Sequence, residues 1–162
     1  MSDAPGAWQD QPGRESRPLA GEAEAAVTEA VFRHLLRPRR DGTACFLSVG
    51  AAEDHDPDDA FMERFTGYQP PVRPVSEATR AGTSPPGPAS SPAAFPGQVI
   101  DRRTGQPGLI LRVHRLTWLG ESEARVEAST FAHGLAARGW LYHIVREGDR
   151  WVIDEVVLDW IA

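Results

Sequence analysis

Cysteine is almost absent from this chain, and the single Cys45 excludes both an intrachain disulfide and a cysteine-rich zinc site. It lies in the apolar run Ala44-Cys45-Phe46-Leu47-Ser48-Val49, a strand pattern in which a free thiol packs as a small hydrophobe. Basic runs are scarce as well. Lys+Arg 17 against Asp+Glu 23 gives a net charge of -6, and the one basic cluster, Arg37-Pro38-Arg39-Arg40, falls at a predicted helix end, where it complements the helix dipole. No basic footprint remains for duplex nucleic acid, so none is expected as a partner. No stretch approaches the ~20 apolar residues of a membrane span. Met1 to Arg17 also lacks the basic start and apolar centre of a signal peptide. These absences predict a cytoplasmic, bacterial-type protein with no membrane attachment, and no motif asks for a cofactor.

The 162 residues suffice for one domain with a real core. Its 14 prolines and 15 glycines are unevenly spread. Residues 1–20 have little to bury and read as a disordered tail, and 80–97 read as a Pro/Ser/Gly-rich flexible insertion within a single domain over 21–162. From Gly21 to Arg37, Ala23, Ala26, Val27, Ala30, Val31, His34 and Leu35 fall at helical spacing, which predicts an amphipathic helix. Asp41-Gly42 turns the chain into the Cys45 strand. Asp56-Pro57-Asp58-Asp59 reads as a helix start, with an N-cap, a proline at the first helical position and acids in the first turn. That chemistry accounts for the cluster Asp54, His55, Asp56, Asp58 and Asp59 without a metal, and calcium-loop spacing is missing.

Beyond Val99 the period changes to two, and Leu109–Trp118, Glu123–His133, Trp140–Glu147 and Arg150–Ile161 are predicted as four strands. Gly148-Asp149 suits a two-residue hairpin, which pairs Glu147 with Arg150 and His143 with Asp154. A loop over Leu135 to Arg138 pairs Gly134 with Gly139 and hence Thr130 with His143. Closure over Leu119 to Ser122 pairs Trp118 with Glu123 and Leu111 with Thr130. In this register Leu109, Leu111, Val113, Val126, Ala128, Leu141, Val145, Val152 and Val156 share the core face with the polar row Thr130, His143, Asp154. The opposite face would carry Trp118, Phe131, Trp140, Tyr142, Ile144, Trp151 and Ile153, with Arg112, His114, Glu127 and Arg146 among them. That is too apolar for a solvated surface.

The element order is a helix, a short strand, a second helix and then a long antiparallel meander. With Gly139-Trp140-Leu141-Tyr142-His143, Gly148-Asp149-Arg150-Trp151-Val152-Ile153 and the terminal Asp159-Trp160-Ile161, it resembles the cystatin-like α+β roll of the nuclear-transport-factor-2-like superfamily. The resemblance implies an N-terminal helix packed in a curved, mostly antiparallel sheet of four to five strands. It also implies a cavity between helices and sheet, and often a dimer through the other sheet face. Enzymes of that group, isomerases, dehydratases and cyclases, work with a His or Asp inside the cavity, whereas fold alone does not assign catalysis.

Two functional expectations follow. In one, the chain is a non-catalytic interaction domain that self-associates, or holds a protein partner or a small apolar ligand, using Arg112, His114, Phe131, Trp140, Tyr142 and Trp151. In the other, His143 is a general acid/base oriented by Asp154, with Thr130 on substrate. The same His143–Asp154 pair is equally readable as a satisfied buried polar pair, because an isolated one would cost ~1–3 kcal/mol.

Overall fold

The computed structural model describes residues 16–17, 21–37, 43–81 and 97–161. The tail read over 1–20 and the insertion read over 80–97 lie almost wholly outside them, as do Arg39 and Arg40 of the basic cluster. The chain is α+β and mostly strand. In order the elements are β1 (Ser16–Arg17), α1 (Gly21–Leu36), β2 (Ala44–Val49), β3 (Asp56–Pro57) and α2 (Asp59–Met62), then β4 (Val72–Pro74), β5 (Ala78–Arg80), β6 (Val99–Asp101), β7 (Gly108–Gly120), β8 (Glu123–His133), β9 (Ala136–Glu147) and β10 (Arg150–Ile161).

Alanine-rich α1 carries Glu22 and Glu24 in its first turn and Arg33 and His34 in its last, the charge order a helix dipole favours. Its apolar stripe, with Val27, Val31, Phe32 and Leu35, is buried against the sheet. The sheet has six strands rather than four or five, in the order β10-β9-β8-β7-β2-β4. The last four run antiparallel, while β2 lies parallel to both β7 and β4. Parallel β2 is covered on both faces, as a parallel strand must be. Cys45, Leu47 and Val49 meet α1, whereas Phe46 packs on the other side with Val75, Ala78, Val99 and Ile110. The β5–β6 hairpin thus closes over part of the outer sheet face.

The second helix starts at Asp58, whose carboxylate accepts from the Phe61 N–H at 2.8 Å. Pro57 stands in β3, outside the helix, a correction to its expected first-turn position. A proline's fixed φ suits an extended strand end as well as a helix start.

Two of the three expected registers hold in part. Leu111 pairs with Thr130, and Arg150 with Glu147 around Gly148, whose φ of +68° fits the tight turn. The third differs, because β8 and β9 join through Gly134 and Leu135 alone, pairing Thr130 with Arg138 and His143 with Arg125. The partner of Thr130 moves by five positions, an odd number, which turns β9 over. The gain is burial: Tyr142 and Ile144 become fully buried under α1, opposite the small Ala124 and beside Val126 and Ala128. Each large side chain so buried is worth ~1.5–3 kcal/mol, which outweighs the Leu141 and Val145 set of the other register. A bulge at Asp154 then restores parity, so that Ile153 and Val156 both pack inward.

Candidate functional site

The polar row expected on the core side is not formed. His143 and Asp154 stand on the outer face, away from α1, while Thr130 lies on the inner face opposite Arg138. The bulge sets Asp154 and Glu155 against His143, and the His143 Nδ1 to Asp154 Oδ2 contact survives at 2.9 Å. A second carboxylate, Glu123, reaches Nε2 at 2.8 Å. Asp154 first, and Glu123 after it, hold the imidazole pKa above its ordinary value. Both ring nitrogens are occupied by carboxylates, which favours the imidazolium and leaves neither nitrogen open to a substrate proton. The three side chains form an exposed ion cluster.

The expected binding face is divided between the two sides. Arg112 and His114 stay on the outer side, where Arg112 pairs with Asp54 and His114 Nε2 lies 2.6 Å from Ser129 Oγ. Burial, with Arg112 nearby, lowers the His114 pKa. Asp54 also accepts from Arg80 and from the buried Ser48. Burial raises its pKa, but these partners more than offset that and leave it low. Phe131 belongs to the outer cluster under the Arg80 guanidinium, 4.6 Å from the ring centroid. Trp140, Tyr142 and Trp151, by contrast, pack on the inner core under α1. Trp151 meets Trp118 at 5.5 Å near the start of α1, and the other two lie near its end.

At that end a cavity of about 810 Å3 opens between the last turn of α1 and strands β7 to β10. Leu35, Leu109, Trp140, Ile161 and the alanines at 132, 136 and 137 supply its apolar wall. Its polar groups are His34, Tyr142, Thr130, Arg37 and Arg138. His34 is the polar member of the helix stripe, a signal the sequence carried without singling it out. Its Nδ1 lies 3.0 Å from the Tyr142 hydroxyl, with the rings edge to face at 5.4 Å. Burial, and then Arg37, lower the His34 pKa, while burial raises that of Tyr142. Both are therefore neutral near pH 7. The two groups share one hydrogen bond, in which either the phenol O–H donates to Nδ1 or an Nδ1–H donates to the phenol oxygen. Trp140 adds a buried indole N–H with no acceptor among the described residues. Such a donor costs ~1–3 kcal/mol if left unpaired. Arg138 could not be assigned from sequence, since its place depends on the β8–β9 register.

Among the described residues no group of His, Cys, Asp and Glu is placed to hold a metal ion, and no helix is long and apolar enough to cross a membrane. Compared with known proteins, the chain matches no family model, no curated protein and no solved structure.

Proposed function

We propose that this chain is a non-catalytic binding domain with the architecture of a cystatin-like roll of the nuclear-transport-factor-2-like type, and that it holds a small, largely apolar molecule at the end of α1. The observation that carries this reading is the 810 Å3 cavity with apolar walls and a neutral His34–Tyr142 pair. Its volume falls in the range that encloses most of a drug-sized ligand. An isomerase, dehydratase or cyclase using His143 and Asp154 is the weaker reading, because those residues face away from the cavity and His143 is clasped by two carboxylates.

Nile red, a neutral lipophilic dye, is expected to bind saturably at one site per chain. Filling the wall by Ala132→Trp should abolish that signal while leaving the circular dichroism spectrum unchanged. Failure of the dye and of a panel of neutral apolar compounds to bind would overturn the reading.

Self-association is a second reading, and one observation favours it. Strand β10 is at the edge of the sheet, with Leu158, Trp160 and Ile161 exposed by 45%, 44% and 63%. A long apolar edge is a template for a further strand, and two copies can pair antiparallel about a two-fold axis. Light scattering is expected to report a dimer that Trp160→Glu disperses. A strict monomer for the unaltered chain at 100 μM, roughly the upper end of a working range for specific interfaces, would remove this reading.

A further inference from the structure

The cavity's charge carries more information than its size. Every formal charge among its described lining residues is positive: Arg37 and Arg138 line it, and no described Asp or Glu does. This stands out in a chain of net charge -6. Arg33, Arg64, Arg73, Arg80 and Arg112 each have a carboxylate oxygen within 3.0 Å, whereas exposed arginines on other faces, among them Arg125, Arg146 and Arg150, have none among the described residues. Arg37 and Arg138 have none among the described residues, and both are exposed. Arg37 comes from the turn directly after α1 and Arg138 from β9 beside Thr130, so two distant segments deliver the two guanidiniums to one cavity.

Resting on the small-molecule reading above, we propose that the ligand is an organic anion, an apolar chain or ring ending in an acidic head group. The acidic head sits between Arg37 and Arg138, and the apolar part enters toward Leu109 and Trp140. Guanidinium is the side chain best shaped for a carboxylate, which it holds through paired N–H donors. Charge arithmetic calls for an anionic head and is met equally by one negative charge or two. The C-terminal end of α1 contributes about half a negative charge, so two guanidiniums and a neutral His34 leave roughly +1.5. A carboxylate leaves about +0.5 and a dianionic phosphate ester about -0.5, so either anion is matched and a cation is not. The apolar wall has no carboxylate to match an ammonium group, which disfavours amines.

Displacement of Nile red by four eight-carbon compounds tests the idea, because they share one tail and differ in the head. Octanoate is expected to bind about tenfold tighter than octanol, since only the carboxylate accepts from both guanidiniums. Octyl phosphate should also bind tighter than octanol, its rank against octanoate telling which acidic head the site prefers, and octylamine should bind most weakly. In the double variant Arg37→Gln, Arg138→Gln, octanoate should fall to the octanol value while octanol and the dye bind as before. Both arginines are exposed, so the variant is expected to fold. Equal binding of octanoate and octanol, or a preference for octanoate that survives in the double variant, would each overturn the anion. Failure of dye and octanol alike would instead strike the cavity reading on which it rests.

Discussion

Phe32→Ala is expected to lower stability by ~3–5 kcal/mol, the largest loss from any single core truncation in α1. The ring is fully buried and meets Phe61 and Phe65 edge to face, with centroids 6.0 and 6.2 Å away. It is where α1 and α2 lock together over the sheet, so truncation removes apolar area, leaves a cavity and dissolves two aromatic pairs at once. Denaturant unfolding measures the loss, and Phe32→Leu, which keeps most of the volume, should cost much less. A loss under about 1.5 kcal/mol for the alanine variant would mean that the two helices are not joined there. The effect reaches the site as well. His34 follows Phe32 within the last turn of α1 and Arg37 stands just past its end, so a loosened helix should also weaken dye binding in the fraction that remains folded.

Much of this organisation is legible in the residues, and the limit has a definite physical origin. The spacing of Val27, Val31, Leu35 and their neighbours marks α1 because one helix face is apolar and the other is not. The β9–β10 turn is legible because Gly148-Asp149 meets a specific backbone need. Strand faces are harder. On β9 and β10 both parities are apolar, with Leu141 and Val145 on one and Tyr142 and Ile144 on the other. Hydrophobic pattern therefore cannot choose between them, and the choice falls to the length of one turn. Gly134-Leu135 is two residues where a four-residue loop was expected, and that difference sends His143 outward and Trp140 and Tyr142 inward. The bulge at Asp154 shows the same sensitivity. His34 was within reach, because a lone histidine in an apolar stripe calls for a buried partner. Arg138 was not, because no local feature states what lies across from it.

Asp101→Asn should cost ~3 kcal/mol at pH 7, a value typical of breaking a buried ion pair by removing one partner. The Asp101 side chain is 4% exposed and pairs with Arg73, itself 13% exposed, while the Arg103 N–H donates to its other oxygen at 2.8 Å. Arg73 also holds Glu77 at 2.9 Å and lies over the Phe46 ring, so a single guanidinium ties β4 and the β5–β6 hairpin to the outer sheet face. Asparagine keeps the shape and removes the charge, leaving that guanidinium with the half-exposed Glu77 alone. Burial raises the Asp101 pKa, but the Arg103 N–H and the Arg73 charge more than offset it, and the net value is below normal. A depressed carboxylate pKa contributes stability above its unfolded value and loses it as pH falls through the folded one. The difference between the native chain and the variant should therefore be full at neutral pH and shrink below about pH 4, where a protonated Asp101 resembles asparagine. Removing both charges, in Arg73→Met with Asp101→Leu, should cost less than the single change, since no unpaired ion is then left buried. A penalty that is the same at pH 3 and pH 7 would show that packing, not charge, holds the hairpin. Dye binding below the melting transition should be untouched throughout, because this pair secures the outer face of the sheet and the cavity opens on the inner one.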